Sequence, residues 1–129
     1  MGKLAGAGPI ETVIRGDAVE ADKSLGYATV KSNGFEMHVP LGTKAFVTLR
    51  ADEVILSVGQ VPKISTRNVW NGLISRIHRF ETRTVVEVNV GQKILAEVTE
   101  DAVIDLALEV GSNAYALINT RSLRATALQ

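Results

Sequence analysis

The run Thr84-Val85-Val86-Glu87-Val88-Asn89-Val90 alternates apolar and polar side chains with a period of two, and this most constrains what the chain can become. A helix would scatter those valines around its axis, whereas a strand gathers Val86, Val88 and Val90 on one face and leaves Thr84, Glu87 and Asn89 mostly towards solvent. Gly91-Gln92 then reads as a turn and Lys93-Ile94-Leu95-Ala96-Glu97-Val98 as the returning strand, a hairpin over residues 84–98. Further strands are expected at Val13 to Val19, Gly26 to Lys31, Phe35 to Val39, Ala45 to Arg50, Val54 to Val58, Gly72 to Phe80, Ala114 to Asn119 and Leu123 to Thr126. Regularly spaced short strands with glycine-bearing turns predict an all-β barrel or sandwich. One short helix interrupts them. Thr99 is placed to cap it, Glu100 and Asp101 suit its first turn, and Val103 with Leu106 form an apolar stripe before Gly111. A single helix among strands is the arrangement of an OB-like barrel.

The chain also resembles itself. The stretch from Gly42 to Val54 lines up with that from Gly111 to Leu123, each reading as turn, aromatic-bearing strand, polar turn and returning strand. Thr12 to Ala18 matches Asn68 to Ile74 in the same way. Two pseudo-repeated halves are expected, residues 1–60 and 61–129, divided near Val58 to Lys63. The second half is longer, with its surplus around Thr99.

Composition removes several function classes. Fourteen basic and fourteen acidic residues balance, so no global field draws nucleic acid or acidic lipid. The aromatic set, Trp70, Tyr27, Tyr115, Phe35, Phe46 and Phe80, is too thin for a base-stacking platform. With no cysteine there is neither a disulfide framework nor a thiolate metal site, and a cytoplasmic setting is expected. The N-terminal residues lack the apolar run of a secretory signal, and no stretch approaches membrane-spanning length. Gly42-Thr43-Lys44 lacks the glycine spacing and following helix of a phosphate-binding loop, so ATP hydrolysis is not expected of this chain. His38 and His78 read as ordinary strand histidines rather than metal ligands, and no serine sits in a nucleophile-elbow context. No catalytic residue, metal or cofactor is expected.

Hydrogen-bond donors concentrate at the boundary between the halves. In Ile64-Ser65-Thr66-Arg67-Asn68-Val69-Trp70-Asn71-Gly72, two hydroxyls precede the planar donor fork of Arg67, a set that suits a tetrahedral oxyanion. Ser65-Thr66-Arg67-Asn68 followed by Gly72 resembles the Ser-Ala-Arg-Asn-x-x-x-Gly signature of the Mop domains, which bind molybdate and tungstate. The likeness continues through Gly91 to Val98, Thr99, Leu106-Ala107-Leu108, Gly111 and Ala114 to Leu123. Thr12 to Gly16, Val39-Pro40 and Leu49 to Leu56 are similar to the degenerate TOBE-type segment that precedes the Mop unit in transporter ATPases. The whole therefore resembles the C-terminal regulatory Mop/TOBE extension of a molybdate or tungstate ABC transporter's ATP-binding subunit.

The resemblance implies an OB-like fold, a homodimer, oxyanion sites at the subunit interface and a nucleotide-binding domain as partner. Carried over by position, the oxyanion-binding residues are Ser65, Thr66, Arg67, Thr99, Asn119, Thr120 and Ser122, with Ser65 and Arg67 of one chain meeting Thr99 and the Asn119-Thr120 segment of another. Where this chain has Asn119 the family usually has lysine, which leaves either weaker binding or a substitute cation such as Arg121. A free-standing storage protein and a structural dimerisation module with a decayed anion site are the competing expectations.

Overall fold

The structure, a computed structural model, describes residues 8–15, 18–22, 24–32, 35–40 and 46–126. Residues 16–17 of the expected strand Val13 to Val19, the expected turn at Gly42 and the expected strand start at Ala45 fall outside these. Eleven strands and one α-helix are seen: β1 Glu11–Arg15, β2 Ala18–Asp22, β3 Tyr27–Ser32, β4 Phe35–Pro40, β5 Phe46–Arg50, β6 Ile55–Ser57, β7 Asn68–Arg79, β8 Thr84–Asn89, β9 Lys93–Val98, α1 Glu100–Asp105, β10 Asn113–Ile118 and β11 Arg124–Thr126. They form three antiparallel sheets, β1-β5-β11, β2-β3-β4 and β6-β10-β7-β8-β9. The all-β, OB-like architecture with one short helix is as expected.

The internal repeat is visible in the strand pairing itself. The shift that takes Ala51 to Thr120 carries the 3-10 turn Ala51–Glu53 onto the turn Thr120–Ser122, and β6 onto β11. Both turns start and end in the same backbone conformation, and Val54 N–H to Ala51 O and Leu123 N–H to Thr120 O are each 3.2 Å. The two returning strands exchange partners. β6 pairs with β10, Ile55 opposite Leu117, while β11 pairs with β5, Arg124 opposite Thr48, and these are the same register under the repeat. Likewise Thr12 opposes Leu49 as Asn68 opposes Ile118. Each half thus supplies the strand that completes the other half's sheet, and one continuous core results, from Ile14, Met37, Val39 and Leu49 through Leu56 to Ile74, Val86, Ile94 and Ile118.

The hairpin over residues 84–98 forms, but its burial departs from the alternation. Thr84 and Glu87 are buried along with Val85, Val86 and Val88. β8 lies between β7 and β9, and Ile10 and Ala51 pack over its outer face at Val85. Glu87 is tolerated there because the β-bulge between Ile74 and Arg76 turns Ser75 Oγ towards its carboxylate, 3.2 Å away. His78 Nε2 and Lys93 Nζ each lie 3.5 Å from a Glu87 oxygen. Burial raises the Glu87 pKa, but Ser75, His78 and Lys93 outweigh it and the carboxyl sits below its usual range. His78 Nε2 is buried and has no partner other than this long contact to Glu87.

β7 also begins earlier than expected, at Asn68 rather than Gly72. Gly72 explains the close crossing: a Cβ there would stand 2.2 Å from the backbone oxygen of Asn89. The helix is capped as expected, Thr99 Oγ1 accepting the Ala102 N–H at 3.1 Å, with Val103 buried. Its C-terminus closes through Leu108 N–H to Val103 O and a left-handed Ala107.

Candidate functional site

Asn68 organises the site. Its side chain is buried and mimics a strand partner: Oδ1 accepts the His38 N–H at 2.7 Å, and Nδ2 donates to His38 O at 2.7 Å. The signature segment of the second half is thereby pinned to β4 of the first. Nδ2 also approaches Thr120 Oγ1 at 3.4 Å, and Thr66 Oγ1 both donates to Ile118 O and accepts the Asn68 N–H. These bonds draw the signature segment and the turn after β10 together. Ser65, Thr66 and Asn119 line one cleft of about 430 Å3, walled by Ile55, Val61, Pro62, Ile64 and Leu117.

Arg67 lies exposed beside this cleft, its guanidinium resting on the carbonyls of Ser65 at 3.2 Å and Ile64 at 2.9 Å. Two of its five N–H groups are used and none meets a carboxylate among the described residues, which leaves a charged donor fork for a ligand. Asn119 spends its Oδ1 on the Arg121 N–H at 3.0 Å, capping the 3-10 turn. Ser122 is half-buried and offers its carbonyl to Arg124 at 3.0 Å. Thr99 lies elsewhere. It borders a second cleft, of about 800 Å3, where Arg79 pairs with Glu100 at 3.1 Å and Arg83 with Glu97 at 2.6 Å. Thr84 Oγ1 donates to Glu100 as well, so that carboxylate is engaged within the chain. Within one chain, then, Ser65, Thr66, Arg67, Asn119 and Thr120 come together, and Thr99 does not join them.

The internal repeat shows what distinguishes this place. Its counterpart is an apolar plug in which Ile10 and Ala51 are buried against Val85 and Leu95. Under the repeat Ile10 becomes Thr66 and Ala51 becomes Thr120, and Leu95, whose N–H bonds Thr12 Oγ1 as that of His38 bonds Asn68, becomes His38. Three apolar side chains are thus exchanged for three polar ones on equivalent backbone, each with a partner inside the chain: Thr66 with Ile118 O, Thr120 with Asn68 Nδ2 and His38 Nδ1 with Thr29. His38 is the residue that sequence reasoning passed over. The repeat could have flagged it only once strand exchange was known.

Burial, partly offset by Glu36 and reinforced by the charge of Arg67, lowers the His38 pKa. Tyr27 stacks against the ring at 4.5 Å, and Thr29 Oγ1 lies 3.2 Å from Nδ1. A histidine with a lowered folded pKa takes up its proton first in the unfolded chain. Stability therefore falls as the pH drops below about 6.5, and levels off once folded His38 also titrates. Thermal unfolding followed from pH 7.5 to 5 should show this decline, and His38→Gln should flatten it.

Fold and site together define an OB-like β module whose two interlocked halves enclose a largely apolar cleft edged by Ser65, Thr66 and Asn119. Residues 64–125 match the model of the TOBE domain family. Two curated relatives are each named molybdenum import ATP-binding protein ModC. That of Pasteurella multocida (strain Pm70) is 32% identical over 84 residues, covering 64% of this chain and 24% of the relative. That of Mesorhizobium japonicum is 28% identical over an alignment of 147 residues, covering 94% of this chain and 40% of the relative. The chain thus spans about a quarter of the length of the first and well under half of the second. Among solved structures, the cytoplasmic molybdate-binding protein ModG, in a form with molybdate bound, superposes with a TM-score of 0.68 at 19% identity, covering 88% of this chain and 92% of that one. That likeness establishes the shared fold. No helix among the described residues is long and apolar enough to cross a membrane.

Proposed function

We propose that this chain is a regulatory oxyanion-binding module that holds molybdate or tungstate and adjusts the activity of an importer's ATP-binding subunit on the cytoplasmic side. The observation that carries this is the replacement of the apolar plug by Thr66, Thr120 and His38 beside the unpaired Arg67 fork. Micromolar binding needs about 8 kcal/mol, and a hydrogen bond to a charged group supplies roughly 1.5 to 3, so three to six converging donors are required. The Ser65 hydroxyl and the three unused N–H groups of Arg67 approach that number, the Thr66 proton being held by Ile118 O, and Thr99 of a second copy would complete it. Homodimerisation fits the separation of Thr99 from the others, and the resemblance to the ATP-binding relatives supports a nucleotide-binding domain as partner.

Equilibrium dialysis with molybdate, tungstate and sulfate tests the ligand: micromolar binding of the first two is expected, and none up to millimolar sinks the claim. Arg67→Ala should weaken binding about ten- to a hundredfold, the worth of one strong charged hydrogen bond. A second reading, a free-standing molybdate store, is favoured by the mutual coverage with the ModG structure, which extends over nearly all of both chains. It predicts unchanged anion binding and no effect on any ATPase supplied in trans.

A further inference from the structure

Resting on that reading, we propose that Arg121 is the second cation of the oxyanion site, its guanidinium reaching the space above Asn119. A dianion bound by Arg67 alone is left half-neutralised, and burying an unbalanced charge is costly. Arg121 is exposed and has no ion-pair partner among the described residues. It follows Thr120, whose Oγ1 accepts at 3.4 Å from Asn68, the residue after Arg67. The two guanidinium groups therefore flank one linked pair of segments, and both lack carboxylates.

How far Arg121 can reach is measured by the other half of the molecule. Under the repeat Asn119 corresponds to Arg50 and Arg121 to Asp52, on turns of the same backbone conformation. In the first half the side chains at these two positions meet: the long Arg50 side chain donates to the Asp52 carboxylate through Nε at 3.1 Å and Nη2 at 2.7 Å. Position 121 thus faces position 119, and the longer arginine covers that span. The same comparison explains why the first half offers no equivalent site. There the cation already holds a tethered carboxylate, Glu53 approaches it at 3.9 Å, and Glu11 stands at the counterpart of Arg67. One oxyanion site per chain follows.

The reach is tested without any ligand by Asn119→Asp. NMR titration should find the introduced carboxyl lower in N119D than in N119D with R121A, where only the turn-capping bond from the residue 121 N–H still depresses it; equal values in the two variants overturn the proposal. The anion role is tested by isothermal titration with molybdate. R121A should weaken binding about ten- to a hundredfold with unchanged thermal stability, since its side chain makes no contact to lose. Adding Asn119→Lys to R121A, which returns a cation to the same space, should recover most of that loss. Unchanged binding in R121A, or no recovery with N119K, overturns the assignment. If the unmodified chain binds no oxyanion, the site reading fails and the anion role of Arg121 falls with it, while the titration still reports the geometry.

Discussion

Gly72→Ala lowers the unfolding free energy by about 3 kcal/mol, and the Tm by on the order of 10 °C, a heavy penalty for one methyl group. The added Cβ would meet Asn89 O at 2.2 Å and Asn89 C at 2.7 Å, both backbone, with the Val90 side chain at 2.8 Å. A flexible side chain could swing aside, but Asn89 ends β8, paired with Leu73 on one side and Lys93 on the other. Relief would require breaking the end of the β7–β8 ladder or bending the hairpin away from β10, to which Gly72 is paired opposite Ala114. Gly91→Ala is the control. Its φ of 99° is a conformation that alanine adopts at a cost of roughly 1 to 3 kcal/mol, yet nothing lies within 4 Å of its Cβ. Urea unfolding should therefore rank G72A as the more damaging, and G72V worse still. Equal effects would show that the close crossing is not what the glycine serves. On this account the glycine of the signature belongs to the barrel's closure, not to the ligand.

The elements legible in the sequence were those whose signal is local. The alternation from Thr84 to Val98 and the Thr99 cap with its acidic first turn both state their structure within a few residues. The burial of Glu87 was not legible, because it depends on Ser75 bulging out of a neighbouring strand and on residues 10 and 51 covering that face. The expected start of β7 at Gly72 left out Asn68-Val69-Trp70-Asn71 for a similar reason. Its polar residues serve distant partners, Asn68 the backbone of His38 and Trp70 Nε1 the carbonyl of Glu36 at 2.8 Å. The repeat itself could be read, but not the exchange of β6 and β11, since two similar acceptor strands leave the choice of partner open to any local pattern. That exchange turns a repeat into a comparison between two sites, one plugged and one polar. The candidate residues were named from resemblance; what the fold adds is a division of the signature and the later turn into Asn68, Gly72 and Thr66, which bond or pack inward, and Ser65, Arg67 and Arg121, which are exposed.

That division has a direct consequence for Asn68 and Arg67, adjacent in the signature and opposite in expected behaviour. Asn68→Ala should cost about 2 to 4 kcal/mol, because it removes two hydrogen bonds of 2.7 Å and strands the His38 N–H and carbonyl, each unsatisfied group costing roughly 1 to 3. Asn68→Asp should recover little of this. Its carboxylate can accept the His38 N–H, but its second oxygen then faces the His38 carbonyl where a donor is required. Arg67→Ala, by contrast, loses only exposed bonds to the Ile64 and Ser65 carbonyls, and its Tm should stay within about 2 °C of the unmodified chain. Differential scanning calorimetry without ligand and molybdate titration of the same samples separate the pair: N68A unstable at saturating folded-state affinity, R67A stable and weakly binding. A stable N68A would mean that the clasp between β7 and β4 is redundant. The two halves would then be held sufficiently by the exchanged strands, the Trp70 bond to Glu36 O and the shared core, and the polar cluster at Thr66, Thr120 and His38 would lose the structural member that brings it together.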